Sequence, residues 1–331
     1  MSSNVNVYNL EKFKNTVLFS ITLRRWGNRA QCNDMTALQA YIEQLKIEAA
    51  QEPDATDKPA PSVIVAGDRV KSTKVLVKSN ELMKLCREQT DIKNYVVSRS
   101  MPSVFKAGMF VVREQSVPEI ELFLRAATEK FKQTSLPEYI ANQYPQDVEA
   151  ARVMPVRRGG LGPLWRESDY PPADVLASLY DIDWYWLALG VPENIPDELK
   201  AEANEKFKRR MADAAEDIEL ALRAEFQALI AHAEERLATE PGEKPKVFRD
   251  SMIGNLIGFI ETFDSKNVFG DERLEEVVNQ AKQILTGADP KRLREFASVR
   301  QIAQQQFAKL KETMNTLVEE KKARRFDLDI E

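Results

Sequence analysis

The sequence predicts a mostly α (α+β) chain, with a small mixed N-terminal domain followed by an elongated antiparallel helical bundle with two long helices. Three observations carry this. Residues 197–240 run without glycine or proline under a single apolar stripe, and a second striped segment closes the chain. The first third instead mixes short β-rich runs with helical spacing. Composition agrees: 331 residues, 43% hydrophobic and 30% charged, enough chain for a sizeable core and rich in the charges of solvated helices. The expected division is 1–150 for the mixed domain, 151–196 for an irregular connector rich in Pro, Gly and Trp, and 197–331 for the bundle.

Val17–Leu23 alternates enough to read as a strand, followed by a turn at Trp26-Gly27-Asn28-Arg29. Leu38, Tyr41, Ile42 and Leu45 give helical spacing over Thr36–Ala49. Pro53, Pro59 and Pro61 mark Gln51–Pro61 as a linker, and Val63–Val65 and Lys74–Val77 read as short strands. A helix is expected over Asn80–Val97, a short strand or buried loop at Phe110–Val112, and a helix started by Pro118 and ending near Phe131. In the connector only Ala173–Tyr180 reads as helix, and Asp181-Ile182-Asp183-Trp184-Tyr185-Trp186 reads as aromatic anchors for an irregular segment.

Past Pro196 the stripe is Met211, Ala215, Ile218, Leu222, Phe226, Leu229, Ala233 and Leu237. Positions 211, 222 and 233 repeat at eleven residues, which implies a straight or slightly right-handed seam and not a leucine zipper. Shorter helices are expected after the caps Asp250 and Asp271, the second closed by Gly287. Asp289-Pro290 opens the last long helix, striped by Phe296, Val299, Ala303, Phe307, Leu310, Met314 and Leu317 and ending near Ala323. The seam, with Met211, Ile218, Leu222, Phe226, Leu229, Phe307, Leu310 and Met314 at its heart, closes either within one chain or on a second copy.

Function is bounded mainly by what the chain lacks. One histidine, His232, and two cysteines, Cys32 and Cys86, do not make a four-ligand zinc site, and His232 flanks a helix stripe, a poor place for a base. Arg157-Arg158-Gly159-Gly160-Leu161-Gly162-Pro163 lacks the Lys-Ser/Thr of a P-loop, so it reads as a surface loop. Asp181 and Asp183 beside Trp184 carry the composition of a glycosidase cleft without evidence of convergence. No catalytic, cofactor or metal site is therefore expected. The net charge is −5, yet residues 60–113 hold ten Lys/Arg against four Asp/Glu. Arg69, Lys71, Lys74 and Lys78 are the densest cations there and the candidates for phosphate contact, although no aromatic residue interleaves them. No secretory leader or apolar stretch of spanning length is seen, so a cytoplasmic protein without membrane contact is expected.

Several segments taken in order resemble an uncharacterised family, a domain of unknown function found in phages, plasmids and bacterial genomes. They are Val17–Leu23 with Trp26–Arg29, KVLVKSNEL (Lys74–Leu82), GMFVVREQSVP (Gly108–Pro118) with the helix after it, FRDSMIGNL (Phe248–Leu256) and Leu293–Arg300. Members of that family are often encoded near MoxR-type AAA+ ATPases and proteins with a von Willebrand factor A domain. The resemblance implies an interaction or adaptor protein partnered with an AAA+ ATPase, and it carries over no active site. A nucleic-acid-binding accessory role through the basic segment is the competing expectation, and self-association is the other partner considered.

Overall fold

The computed structural model describes residues 13–51, 73–188, 190, 194, 196–237, 250–287, 293 and 296–328, without the side chains of 197, 250–253 and 323–328. In chain order the elements are β1 (Thr16–Arg24), β2 (Arg29–Gln31), α1 (Met35–Gln51), β3 (Thr73–Val75), α2 (Asn80–Val97), β4 (Met101–Pro102), β5 (Met109–Arg113), α3 (Val117–Lys130), α4 (Tyr144–Val153), α5 (Ala173–Ser178), β6 (Asp181–Leu187), α6 (Asp197–Leu237), α7 (Asp250–Lys266), α8 (Glu272–Gly287) and α9 (Ala297–Leu328). The protein is mostly α, with a mixed N-terminal part followed by long helices. Arg69, Lys71, the Gln51–Pro61 linker beyond Gln51, the Val63–Val65 strand and the Asp289-Pro290 cap lie outside the described residues.

The chain packs as two units that interleave in sequence: the described residues of 1–21, 94–121 and 184–331 form one, and those of 22–93 and 122–183 the other. This differs from the expected cuts at 150 and 196. Composition shifts track local texture, whereas packing gathers distant segments into one core.

In the first unit β5 pairs antiparallel with β1, Leu18 opposite Val111, and β4 pairs antiparallel with β5. The sheet order is β4-β5-β1-β6. Leu18, Met109 and Val111 are buried in one apolar core with Met211, Phe226, Phe259, Leu274, Phe307 and Met314 from the helices. Helices α6 and α9 run antiparallel, since Arg223 of α6 reaches the Leu317 carbonyl, Gln227 bonds Asn315, and Glu234 accepts from Lys311 and Gln304. At 41 residues α6 is about 60 Å long at ~1.5 Å per residue. Asp271 caps α8 as expected, accepting from the Leu274 N–H at 3.2 Å. Phe296 departs from its expected place in the stripe. It precedes the first turn of α9 and is 50% exposed.

The second unit is built on side-chain pins. Asn28, at φ 43° in the left-handed region that asparagine tolerates, pairs its amide with both the N–H and the C=O of Val77 at 2.8 Å. Asp34 caps α1 through the Ala37 N–H, and Ser79 caps α2 through the Leu82 N–H. Gln89 is fully buried, accepting from Arg25 and donating to the carbonyls of Arg24 and Asp181.

The sequence stops a helix near Phe131, yet helical structure continues to Val153. Pro137 and Pro145 would break an ordinary α-helix, and two π turns, Phe131–Ser135 and Tyr139–Gln143, accommodate them. Each π turn precedes a proline and widens the helix where a proline ring would strike the carbonyl one turn back.

Gly160 is required by close approach. A Cβ there would lie 1.8 Å from the Met154 carbonyl oxygen. Gly160→Ala is expected to cost about 1–3 kcal/mol, the usual range for overpacking, read as a lower urea midpoint. An unchanged midpoint would mean that the Met154 turn yields freely.

Candidate interaction surface

The seam residues are the inner spine of the first unit. Met211, Ile218, Leu222, Phe226, Phe307, Leu310 and Met314 are buried, with Leu229 half-buried against them. The stripe therefore closes within one chain. Sequence reading missed Ile230, which is also fully buried and widens the stripe toward the neighbouring helix.

Charges tie the same helices together. Arg223 grips Asp271 with two nitrogens, Nε at 2.6 Å and Nη2 at 3.0 Å, and gives Nη1 to the Leu317 carbonyl at 2.8 Å. Lys321 pairs with Glu219 and, at 2.5 Å, with Glu216. Burial alone would raise the Asp271 pKa, but the hydrogen bonds and charge of Arg223 outweigh it and hold the carboxyl below its ordinary value. This network is cross-bracing, with its charges spent internally.

The basic segment offers less to a phosphate than its composition suggests. Lys74 is buried, paired with Asp169 at 2.5 Å and donating to the Leu164 carbonyl, so it is corrected from candidate phosphate ligand to structural pin. Lys78 is exposed. Lys84 pairs with Glu81, Arg99 lies 3.8 Å over the Tyr95 ring, and Arg113 donates to the Asp264 carbonyl. Several of the segment's cations thus neutralise or cap their own fold.

The other candidate constellations resolve in the same way. Asp181 accepts from Lys132 at 2.8 Å and Arg24 at 2.7 Å, and these bonds hold its pKa down to about 2. A carboxylate so held is a poor proton donor. Lys132→Gln is expected to raise the Asp181 pKa toward the ordinary carboxylate value in a carboxyl-carbon NMR titration. An unmoved value would assign the depression to Arg24 alone. Arg157 gives its backbone N–H to Glu48, and the turn after it packs on Met154, so the glycine-rich stretch is a folded corner. His232 is exposed beside Arg236.

Asp181–Leu187 is a strand, not an irregular anchor segment, although its tryptophans do anchor. Trp184 and Trp186 both donate their indole N–H to one oxygen of Glu121, at 2.9 and 3.0 Å, and Trp186 packs on Phe19. Tyr185 and Leu187 remain 44% and 39% exposed.

Two of the concavities among the described residues bear on function. One, of about 350 Å³, lies beside the π turns and is lined by Glu81, Glu88, Ser135, Glu138, Tyr139 and Asn142. Its walls are already bonded: Glu88 accepts from Ser135, Glu81 from Lys84, and Tyr139 donates to buried Asp147. Burial, followed by the charge and hydrogen bond of Asp147, raises the Tyr139 pKa, so this phenol stays protonated. The other, of about 590 Å³, is a groove between α8 and α9. Ile284, Val299, Ile302 and Leu310 line it, with Gln280, Gln283, Gln306 and Lys309. Ile302 is 57% exposed. The sequence signal for the groove is this isoleucine standing one residue outside the expected α9 stripe.

Among the described residues no group of three or more His, Cys, Asp or Glu is placed to hold a metal ion, and no helix is long and apolar enough to cross a membrane. The chain matches no family model, no curated protein and no solved structure.

Proposed function

We propose that the protein is a non-enzymatic interaction or adaptor protein that engages a protein partner through the groove between α8 and α9. The groove is the observation that carries the reading. A furrow between two helices, lined by apolar side chains together with three glutamines and Lys309, suits an amphipathic helix, which inserts apolar residues at i, i+3/i+4 and i+7. The strongly shifted carboxylate, Asp181, is explained by ion pairs within the fold, which supports a binding role over a chemical one.

The family resemblance supplies the partner: a MoxR-type AAA+ ATPase complex in phage or mobile-element biology, with this chain working in the cytoplasm, the host's where phage-encoded. The test is binding of the purified full chain to a purified MoxR-type AAA+ ATPase, by calorimetry with and without ATP. Ile302→Glu is expected to weaken that binding about tenfold or more while helicity is unchanged. Absence of binding at micromolar concentrations overturns the ATPase partnership, and binding indifferent to Ile302→Glu overturns the groove as its site.

A further inference from the structure

We propose that the outer edge of β6 docks a second copy of this chain, two protomers pairing antiparallel about a two-fold axis through Tyr185. The inference is independent of the groove.

The two edges of the β4-β5-β1-β6 sheet are treated very differently. Edge strands present unpaired N–H and C=O groups, and proteins guard them with shortness, proline, charge or a covering element. The β4 edge is guarded twice, being two residues long and ending in Pro102. The β6 edge is seven residues long without proline, and its charges, Asp181 and Asp183, are confined to its first three positions. Its last four residues, Trp184-Tyr185-Trp186-Leu187, include no charge and no proline, and among the described residues no backbone pairing covers their outer side. The stretch is also held still, because Glu121 fixes both indoles on one face. A rigid, uncharged, aromatic edge is a template for one more strand.

The sequence of that edge selects a second copy as the strand. Trp184-Tyr185-Trp186 reads the same in both directions. A two-fold axis perpendicular to the sheet at Tyr185 sets Tyr185 opposite its own symmetry mate and Trp184 opposite the mate of Trp186. Each pair falls on a single face of the joined sheet, as an isologous antiparallel pairing demands. Aromatic pairs directly opposite each other are among the favourable cross-strand contacts. On the face away from the indoles, exposed Tyr185 and Leu187 are the side chains that such pairing would cover.

The test uses the full chain. Sedimentation equilibrium is expected to show a monomer–dimer equilibrium in the micromolar range. Tyr185→Lys, which sets two ammonium groups face to face at the axis, is expected to raise the dimer Kd about tenfold or more with an unchanged circular dichroism spectrum. Ile302→Lys, in the groove, is expected to leave the dimer intact. In a background with Cys32→Ser and Cys86→Ala, Tyr185→Cys should give a disulfide-linked dimer on mild oxidation. Opposed Cα atoms in an antiparallel pair stand about 4.5–5.5 Å apart, within disulfide reach. A monomer at 100 times the concentration of the binding assays, a dimer that survives Tyr185→Lys, or a Tyr185→Cys variant that does not crosslink would each overturn the proposal.

Discussion

Arg223→Ala is expected to lower the unfolding free energy by about 3–5 kcal/mol, the cost of removing one member of a buried ion pair. Both partners are almost wholly enclosed, Arg223 at 9% and Asp271 at 6% side-chain exposure. Truncation strands two groups together. The Asp271 carboxylate loses both guanidinium bonds, and the Leu317 carbonyl loses its donor from Nη1. Asp271 also caps α8, so the loss reaches the start of that helix. Arg273→Ala is the control: its pair with Glu320 is half exposed, and such solvent-screened pairs contribute little. A double variant, Arg223→Met with Asp271→Asn, keeps the cap while removing both charges and is expected to recover much of the stability. The pH dependence follows from the depressed Asp271 pKa. The unfolded chain holds its proton to higher pH than the folded one, so the pair's contribution is complete above the ordinary carboxylate range. It drains away as pH falls through that range toward the folded value. The wild type should therefore lose stability in acid more steeply than the double variant, as measured by urea midpoints from neutral pH downward. Equal midpoints for Arg223→Ala and Arg273→Ala would show that the network adds nothing beyond surface pairing.

What could be read from residues alone divides by the range of the physics involved. The α6 stripe was legible because a helix projects its residues at a fixed angle, so Met211, Ile218, Leu222 and Phe226 announce one face without knowledge of what covers it. The Asp271 cap was legible for the same local reason. Helix beyond Phe131 was not, because Pro137 and Pro145 are breakers in an ordinary α-helix and are accommodated here by π turns ahead of each. The paired spacing of those prolines is the signal that could have found it. Strand β6 was hidden by its setting, since period-two placement of Ile182, Trp184 and Trp186 on one side is overshadowed by the proline and glycine around it. Lys74 was beyond reach: its burial depends on Asp169, ninety-five positions away, and no local pattern foretells such a pairing. The groove sits between these extremes, with Ile302 visible as an apolar residue off the stripe but meaningless until α8 is laid beside it.

Phe226→Ala should be the most damaging core truncation, costing about 3–5 kcal/mol, while Phe296→Ala stays within about 0.5 kcal/mol of wild type. Both phenylalanines belong to the helical spacing, so the sequence gives no ground for separating them. Packing separates them completely. Phe226 has no exposed surface and stacks on Phe259 with ring centroids 5.0 Å apart and planes 24° from parallel. Phe259 in turn meets Phe263 at 6.0 Å, with the Lys266 ammonium 5.1 Å from its ring centroid. Removing Phe226 therefore opens a cavity at the junction of α6 and α7 and unseats an aromatic row that the backbone cannot collapse to refill, which is why the penalty exceeds simple transfer of the ring to water. The measurement is urea unfolding followed by circular dichroism for both variants. Similar losses at the two sites would mean that the start of α9 is packed as the stripe suggests. A small loss at Phe226 would mean that the bundle repacks around a missing ring, and that its rigidity comes from the charge bracing of Arg223 and Lys321 more than from the aromatic seam.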